Sequence, residues 1–234
     1  MKKGILCYPL LYLICASTPW AQDFQDLDFE SATLVTTPGG DISFGPAFPG
    51  WSGFAGTNQL TTTLYDSTYL DTTAISILDT NPLPFGVFGQ LIDANYTAVL
   101  NAGDYPGLGP TDVSLSQAGL VPAGTKSLRF LALPAGGISA SPFAVTLGDT
   151  TLNLVPFPVT NENYTLYEAD VSAFAGLIEE LKFTLLAQNP HEDNRYLSLD
   201  DILFSPDAIP EPSTFLLAAL GGVSLAAFLK RKHG

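Results

Sequence analysis

Between residues 22 and 209 no long segment carries helical periodicity; short alternating or β-branched runs are instead separated by Gly, Pro, Asn and Asp. A chain written this way buries its apolar side chains on the faces of packed sheets, so the expectation is an all-β, jelly-roll-like β-sandwich over residues 22–205. Strands are expected at 27–35, 59–65, 74–78, 96–100, 113–116, 127–133, 143–147, 151–155, 164–169, 180–186 and 196–204. The clearest alternation sets Leu181, Phe183 and Leu185 against Lys182 and Thr184, which places three apolar side chains on one face. Gly148-Asp149 reads as a tight hairpin turn, and Ser172 to Leu177 as a single helical turn at a sandwich corner.

Both ends of the chain differ from this body. Lys2 and Lys3, the apolar segment Gly4 to Ala16 and the small residues Ala16, Ser17 and Ala21 have the layout of a secretory signal peptide over 1–21, cut by signal peptidase after Ala21 or, alternatively, Ser17. At the other end a linker, 206–212, carries Pro210-Glu211-Pro212. Each proline disfavours helix in the residue before it, so this tripeptide is extended. Ser213 to Leu229 then gives 17 residues without a charge, roughly 26 Å of helix at 1.5 Å per residue. That is enough to span a membrane when flanking lysines snorkel. Ala218, Gly222 and Ala226 recur every four residues on one face, beside Gly221, and permit close helix contact. Lys230, Arg231 and Lys232, in the tail 230–234, hold the C-terminus on the cytoplasmic side and leave the body outside.

Together Pro210-Glu211-Pro212, the apolar helix with Gly221-Gly222 and the terminal basic cluster resemble the PEP-CTERM sorting signal of exported bacterial proteins. The resemblance implies recognition by an exosortase-type membrane protease that cuts near the tripeptide, in Gram-negative bacteria that make extracellular polysaccharide. It further implies an inner-membrane intermediate, then the cell surface or extracellular matrix.

Composition narrows what the body can do. Of 23 acidic residues only Glu211 lies outside 22–209, and of nine Lys and Arg only Lys126, Arg129, Lys182 and Arg195 lie inside it, a net charge of −18 for the body. Phosphate binding needs clustered cations, so nucleic acid is not expected as a partner. Cys7 and Cys15 both fall in the signal segment, so the exported body has no disulfide and depends on its core. Nucleophilic catalysis would need an orienting histidine. His191, in the polar loop Asn189 to Asn194, is the body's only one, and no Gly-x-Ser-x-Gly elbow occurs. Without Cys or a second His there is no ordinary zinc set. Glycoside hydrolysis needs only two carboxylates, which 22 acidic residues do not exclude. The expectation is nevertheless a non-catalytic protein.

A second resemblance concerns the body. Leu27-Asp28-Phe29-Glu30-Ser31, followed by Pro49-Gly50-Trp51, looks like the opening of a galactose-binding-type carbohydrate-binding-module jelly roll, and Leu199-Asp200-Asp201-Ile202-Leu203-Phe204 looks like its closing strand. That resemblance implies pairing of the first and last strands and a structural calcium ion held by Glu30 with Asp200 or Asp201; calcium takes hard oxygen ligands of this kind. Trp51, Tyr96 and Tyr105, near turn-rich segments, are candidate stacking platforms for sugar rings on an extracellular polysaccharide, with core packing the alternative for each, above all for Trp51 beside Pro49-Gly50. The functions left open are a structural or matrix-associated surface protein, a carbohydrate-binding module and a glycoside hydrolase.

Overall fold

Strand propensity and turn chemistry are realised in two facing sheets. The structure, a computed structural model, describes residues 22–68, 72–79, 89–135, 142–159, 162–187 and 195–209. The expected signal segment 1–21, the loop with His191 and the whole of 210–234 lie outside the described residues. Among the described residues no helix is long and apolar enough to cross a membrane.

In chain order the strands are β1 (Ile42–Ser43), β2 (Ser52–Ala55), β3 (Asn58–Gln59), β4 (Thr62–Tyr65), β5 (Ala74–Leu78), β6 (Thr97–Tyr105), β7 (Gly109–Thr111) and β8 (Val113–Leu120). There follow β9 (Ser127–Ala135), β10 (Phe143–Leu147), β11 (Thr150–Thr151), β12 (Val155–Pro158), β13 (Thr165–Asp170), β14 (Ile178–Leu185) and β15 (Arg195–Ser205). One sheet runs β1-β4-β5-β6-β15-β9-β13-β12 with β7 on β6; the other runs β11-β10-β14-β8-β2-β3. Pairing is antiparallel except between β4 and β5, which are parallel. Single helical turns occur at Phe44–Ala47 and Ser172–Phe174, the second at the expected corner.

The alternation on β14 survives intact: Leu181, Phe183 and Leu185 are fully buried, while Lys182 and Thr184 are partly exposed. Phe183 meets Phe130 of β9 edge-on at 5.1 Å and Trp51 at 6.3 Å, so these rings tie the two sheets together. The turn at Gly148-Asp149 closes β10 on β11, with Leu147 opposite Thr150.

Three expectations are corrected. Residues 27–35 are not a strand. Asp26 and Phe29 have φ of 48° and 57°, and the Asp26 carboxylate accepts from Ser31 N at 2.8 Å, a side-chain-stabilised turn that outcompetes the sheet. The first and last strands therefore do not pair: a single bond from Ile202 N to Leu27 O at 2.9 Å joins these segments, and β15 lies between β6 and β9. An unexpected strand, β2, runs through Gly53, whose added Cβ would lie 2.5 Å from the Phe44 ring. The glycine that makes the stretch read as a loop is what lets that ring approach.

The two ends of the described chain meet at one end of the sandwich. Leu120 N, at the close of β8, donates to Gln22 O at 2.9 Å, and the Phe24 and Phe204 rings lie 4.8 Å apart. The turn after Tyr105 lies at the opposite end, because β6 runs antiparallel to β15 with Ala102 opposite Arg195.

Candidate functional site

Three places answer to the expected sites: a carboxylate cluster at the β15 bulge, a hollow beside Tyr105, and the stem that leads to residue 210.

The register of β15 against β9 shifts between Asp200 and Leu203, where Asp201 takes φ 49°. This bulge turns Asp200 inward, to 1% exposure, and leaves Asp201 at the surface. Asp200 accepts from Thr97 Oγ1 at 2.6 Å, Asp201 N at 2.9 Å and Asp93 N at 3.3 Å. Glu30 accepts from Asn95 N and Tyr96 N at 2.8 Å and from Asn95 Nδ2 at 2.7 Å. Two carboxylates, distant in sequence, thus fasten the 93–97 segment from two sides.

Burial pushes the Asp200 carboxyl up to about 7, against the three hydrogen bonds that favour its charged form. Burial also raises Asp201, with further contributions from Asp93, Asp28 and Glu30. Burial alone would raise Glu30 as well, but the bonds from Asn95 and Tyr96 outweigh it and hold the carboxyl below its ordinary value.

The three residues expected to hold calcium stand around the 93–97 segment. Glu30, Asp200 and Asp201 share one neighbourhood, but N–H and O–H donors already occupy Glu30 and Asp200. Among the described residues no group of three or more acidic, histidine or cysteine side chains is placed to hold a metal ion.

A consequence is measurable. The folded-state pKa of Asp200 lies above the ordinary aspartate value near 3.9, so folding favours its protonated form, and the penalty for ionising it grows as pH rises from about 4 to about 7. Asp200→Asn keeps an acceptor for Thr97 without the buried charge. Its melting temperature relative to wild type should therefore climb across that window and level off above it; a difference independent of pH would contradict the assignment.

The aromatic candidates do not form one site. Trp51 is 5% exposed, its indole N–H donates to Asp26 O at 3.0 Å, and it packs on Phe29 and Phe183. It belongs to the core, the alternative to its candidacy as a sugar platform. Tyr96 is half-buried against the core just before β6, while Tyr105 closes the same strand at its far end. Tyr105 lines a hollow of about 250 Å³ with Asp41, Leu60, Thr62 and Leu64. A second hollow of about 210 Å³ shares Asp41 and Leu64 and reaches Tyr65, which is 40% exposed and donates to the Asp79 carboxylate at 2.9 Å. The hydroxyls of Thr63 and Thr73 are spent inside, on Ile75 O and on Gly103 O and Thr111 O. Asp41 and Thr62 also line the first hollow, and Asp41 the second.

Three contacts set the stem. Ser127 Oγ donates to Asp207 O at 2.8 Å, Asp207 N donates to Ser205 Oγ at 3.1 Å, and Arg129 Nη1 stands 3.8 Å from the Asp207 carboxylate. The chain is thereby fixed to the sandwich until two residues before Ile209, where description ends.

The last strand of the β-sandwich, β15, leads through this stem into the C-terminal segment. Residues 208–232 match the PEP-CTERM protein-sorting motif, which places Pro210, Glu211, Pro212, Ala218, Gly221, Gly222, Ala226, Lys230, Arg231 and Lys232 within it. The match covers the address segment and none of the sandwich. No curated protein matches the chain. Among solved structures the secreted serine protease VesC from Vibrio cholerae is similar over 49% of this chain at 14% identity and a TM-score of 0.33, and the chain spans a quarter of VesC's length. TmCBM61, solved in complex with β-1,4-galactotriose, aligns over 77% of this chain and 95% of its own at 13% identity and a TM-score of 0.37. CBM27-1 of Caldicellulosiruptor saccharolyticus, solved with mannohexaose, aligns over 61% and 90% at 16% identity and a TM-score of 0.36. These likenesses are distant, and the topology above stands on strand pairing alone.

No local sequence pattern marks the latches of Asp200 and Glu30. Their partners lie 103 and 65 residues away, and no local pattern announces a contact across that separation. Asp41 and Thr62 likewise carried no signal in the sequence.

Proposed function

We propose that this chain is an exported, non-catalytic surface or extracellular-matrix-associated protein sorted by an exosortase-type enzyme of a Gram-negative bacterium. The sorting motif at 208–232 carries the reading. Signal peptidase removes the N-terminal segment, the 213–229 helix anchors the intermediate in the inner membrane, and Pro210-Glu211-Pro212 offers the extended peptide that a membrane protease needs. The sandwich, of jelly-roll-like class, is the cargo. Fractionation of the native host tests this: the sandwich should be recovered at the cell surface or in the medium, and its confinement to the cytoplasm would refute it.

Carbohydrate binding is the second reading, favoured by the paired hollows that run from Tyr65 to Tyr105 past Asp41 and Thr62. Two aromatic rings flank a carboxylate and a hydroxyl there, the mixture that stacks on sugar faces and accepts from sugar hydroxyls.

A further inference from the structure

Asp207 is pinned to the sandwich by Ser127 and Ser205, and Ser213, where the uncharged run begins, is six residues further on. Six fully extended residues reach about 20 Å at most. Whatever end of the sandwich surrounds Asp207 is therefore held close to the bilayer for as long as the helix is retained.

That end carries an unusual pair of side chains. Leu177 and Ile178 are 48% and 55% exposed and adjacent in sequence. Val121 N donates to Leu177 O at 2.9 Å, and Ile178 lies opposite Leu120, whose own N–H holds Gln22. They therefore stand beside the start of the exported chain, at the end where Phe24 meets Phe204 and the stem departs. Lys126 and Arg129, two of the body's four cations, also lie along this exit: Lys126 N donates to Ser205 O, and Arg129 faces Asp207.

We infer that the end of the sandwich bearing Leu177 and Ile178 rests on the lipid surface while the chain is anchored. The inference rests on the proposed membrane helix. Exposed Asp23 and Asp170 and the partly buried Glu179 lie near the same end, so attraction to anionic lipid does not drive the contact. The tether does, by holding a small apolar patch at high effective concentration next to the headgroup and acyl boundary. The opposite end, with Tyr105 and its hollow, then points away from the membrane.

The test uses the chain from residue 22 to 234, which has no cysteine. Leu177→Cys, Ile178→Cys and, at the far end, Leu108→Cys, itself 57% exposed, are each labelled with an environment-sensitive fluorophore and reconstituted into phosphatidylcholine vesicles with brominated acyl chains. At positions 177 and 178 emission should fall at least twofold relative to unbrominated lipid, with no change at 108. Equal quenching at all three positions, or none at 177 and 178 in protein that floats with the vesicles, would overturn the docking and point to a face made for the sorting protease instead. Protein that fails to float would refute the membrane-helix reading, and the docking with it.

Discussion

Trp51→Ala should cost about 3–5 kcal/mol of folding stability, the range for removing a large aromatic from a packed core. The ring is 5% exposed and touches Phe29 and Phe183, and through Phe183 it reaches Phe130 on the facing sheet. Truncation leaves a cavity between the sheets and deprives the Asp26 carbonyl of its indole donor, and neither loss can be repaired by water in an apolar site. Asp26 itself sits in a left-handed turn closed by Ser31, so the opening segment of the domain should loosen along with the core. Urea unfolding followed by circular dichroism measures the effect. A loss below about 1 kcal/mol would mean that the indole is not a packing element, and would restore it as a candidate platform for sugar.

Replacing Pro210, Glu211 and Pro212 together by alanine should abolish processing at the C-terminus. Alanine restores helix propensity and removes both φ constraints, so the proposed helix beginning near Ser213 would extend back toward the domain. On the proposed reading an extended peptide carrying one carboxylate would become a neutral helical one, which a protease would have to unwind before cutting. The variant should accumulate in the membrane fraction at full C-terminal length, with the sandwich folded and its melting temperature unchanged. The substituted residues begin three positions beyond Asp207, the last residue hydrogen-bonded to the domain in the stem, which is why stability should not move. Release at the wild-type rate would show that the tripeptide is not the recognition element.

Much of the strand pattern was legible because it is local. β5 and β10 coincide with the expected 74–78 and 143–147, and the period-two alternation on β14 declares its buried face without reference to anything else in the chain. The sorting segment is legible for the same reason, since tripeptide, apolar run and basic tail are contiguous. The failures share an opposite cause. Residues 27–35 look β-rich, yet Asp26 supplies a turn whose hydrogen bond to Ser31 pre-empts pairing. β2 looks like a loop because Gly53 has no side chain to alternate, and only the Phe44 ring, in another element, explains the glycine. Glu30 and Asp200 read as metal ligands by type, but which donors reach a carboxylate is decided by folding; here Asn95, Tyr96 and Thr97 fill the positions. Trp51 has two readings in the sequence, a sugar platform or a core ring beside Pro49-Gly50, and its contacts with Phe29 and Phe183 and its bond to Asp26 O decide for the core.

The intact mass of the protein recovered from its native host, taken separately from membrane, surface and medium fractions, tests the central claim most directly. The expected result, outside the membrane fraction, is a mass lacking both residues 1–21 and the residues beyond Pro212. A mass that retains residues 213–234 in every fraction would contradict sorting by cleavage and leave a permanently tail-anchored sandwich.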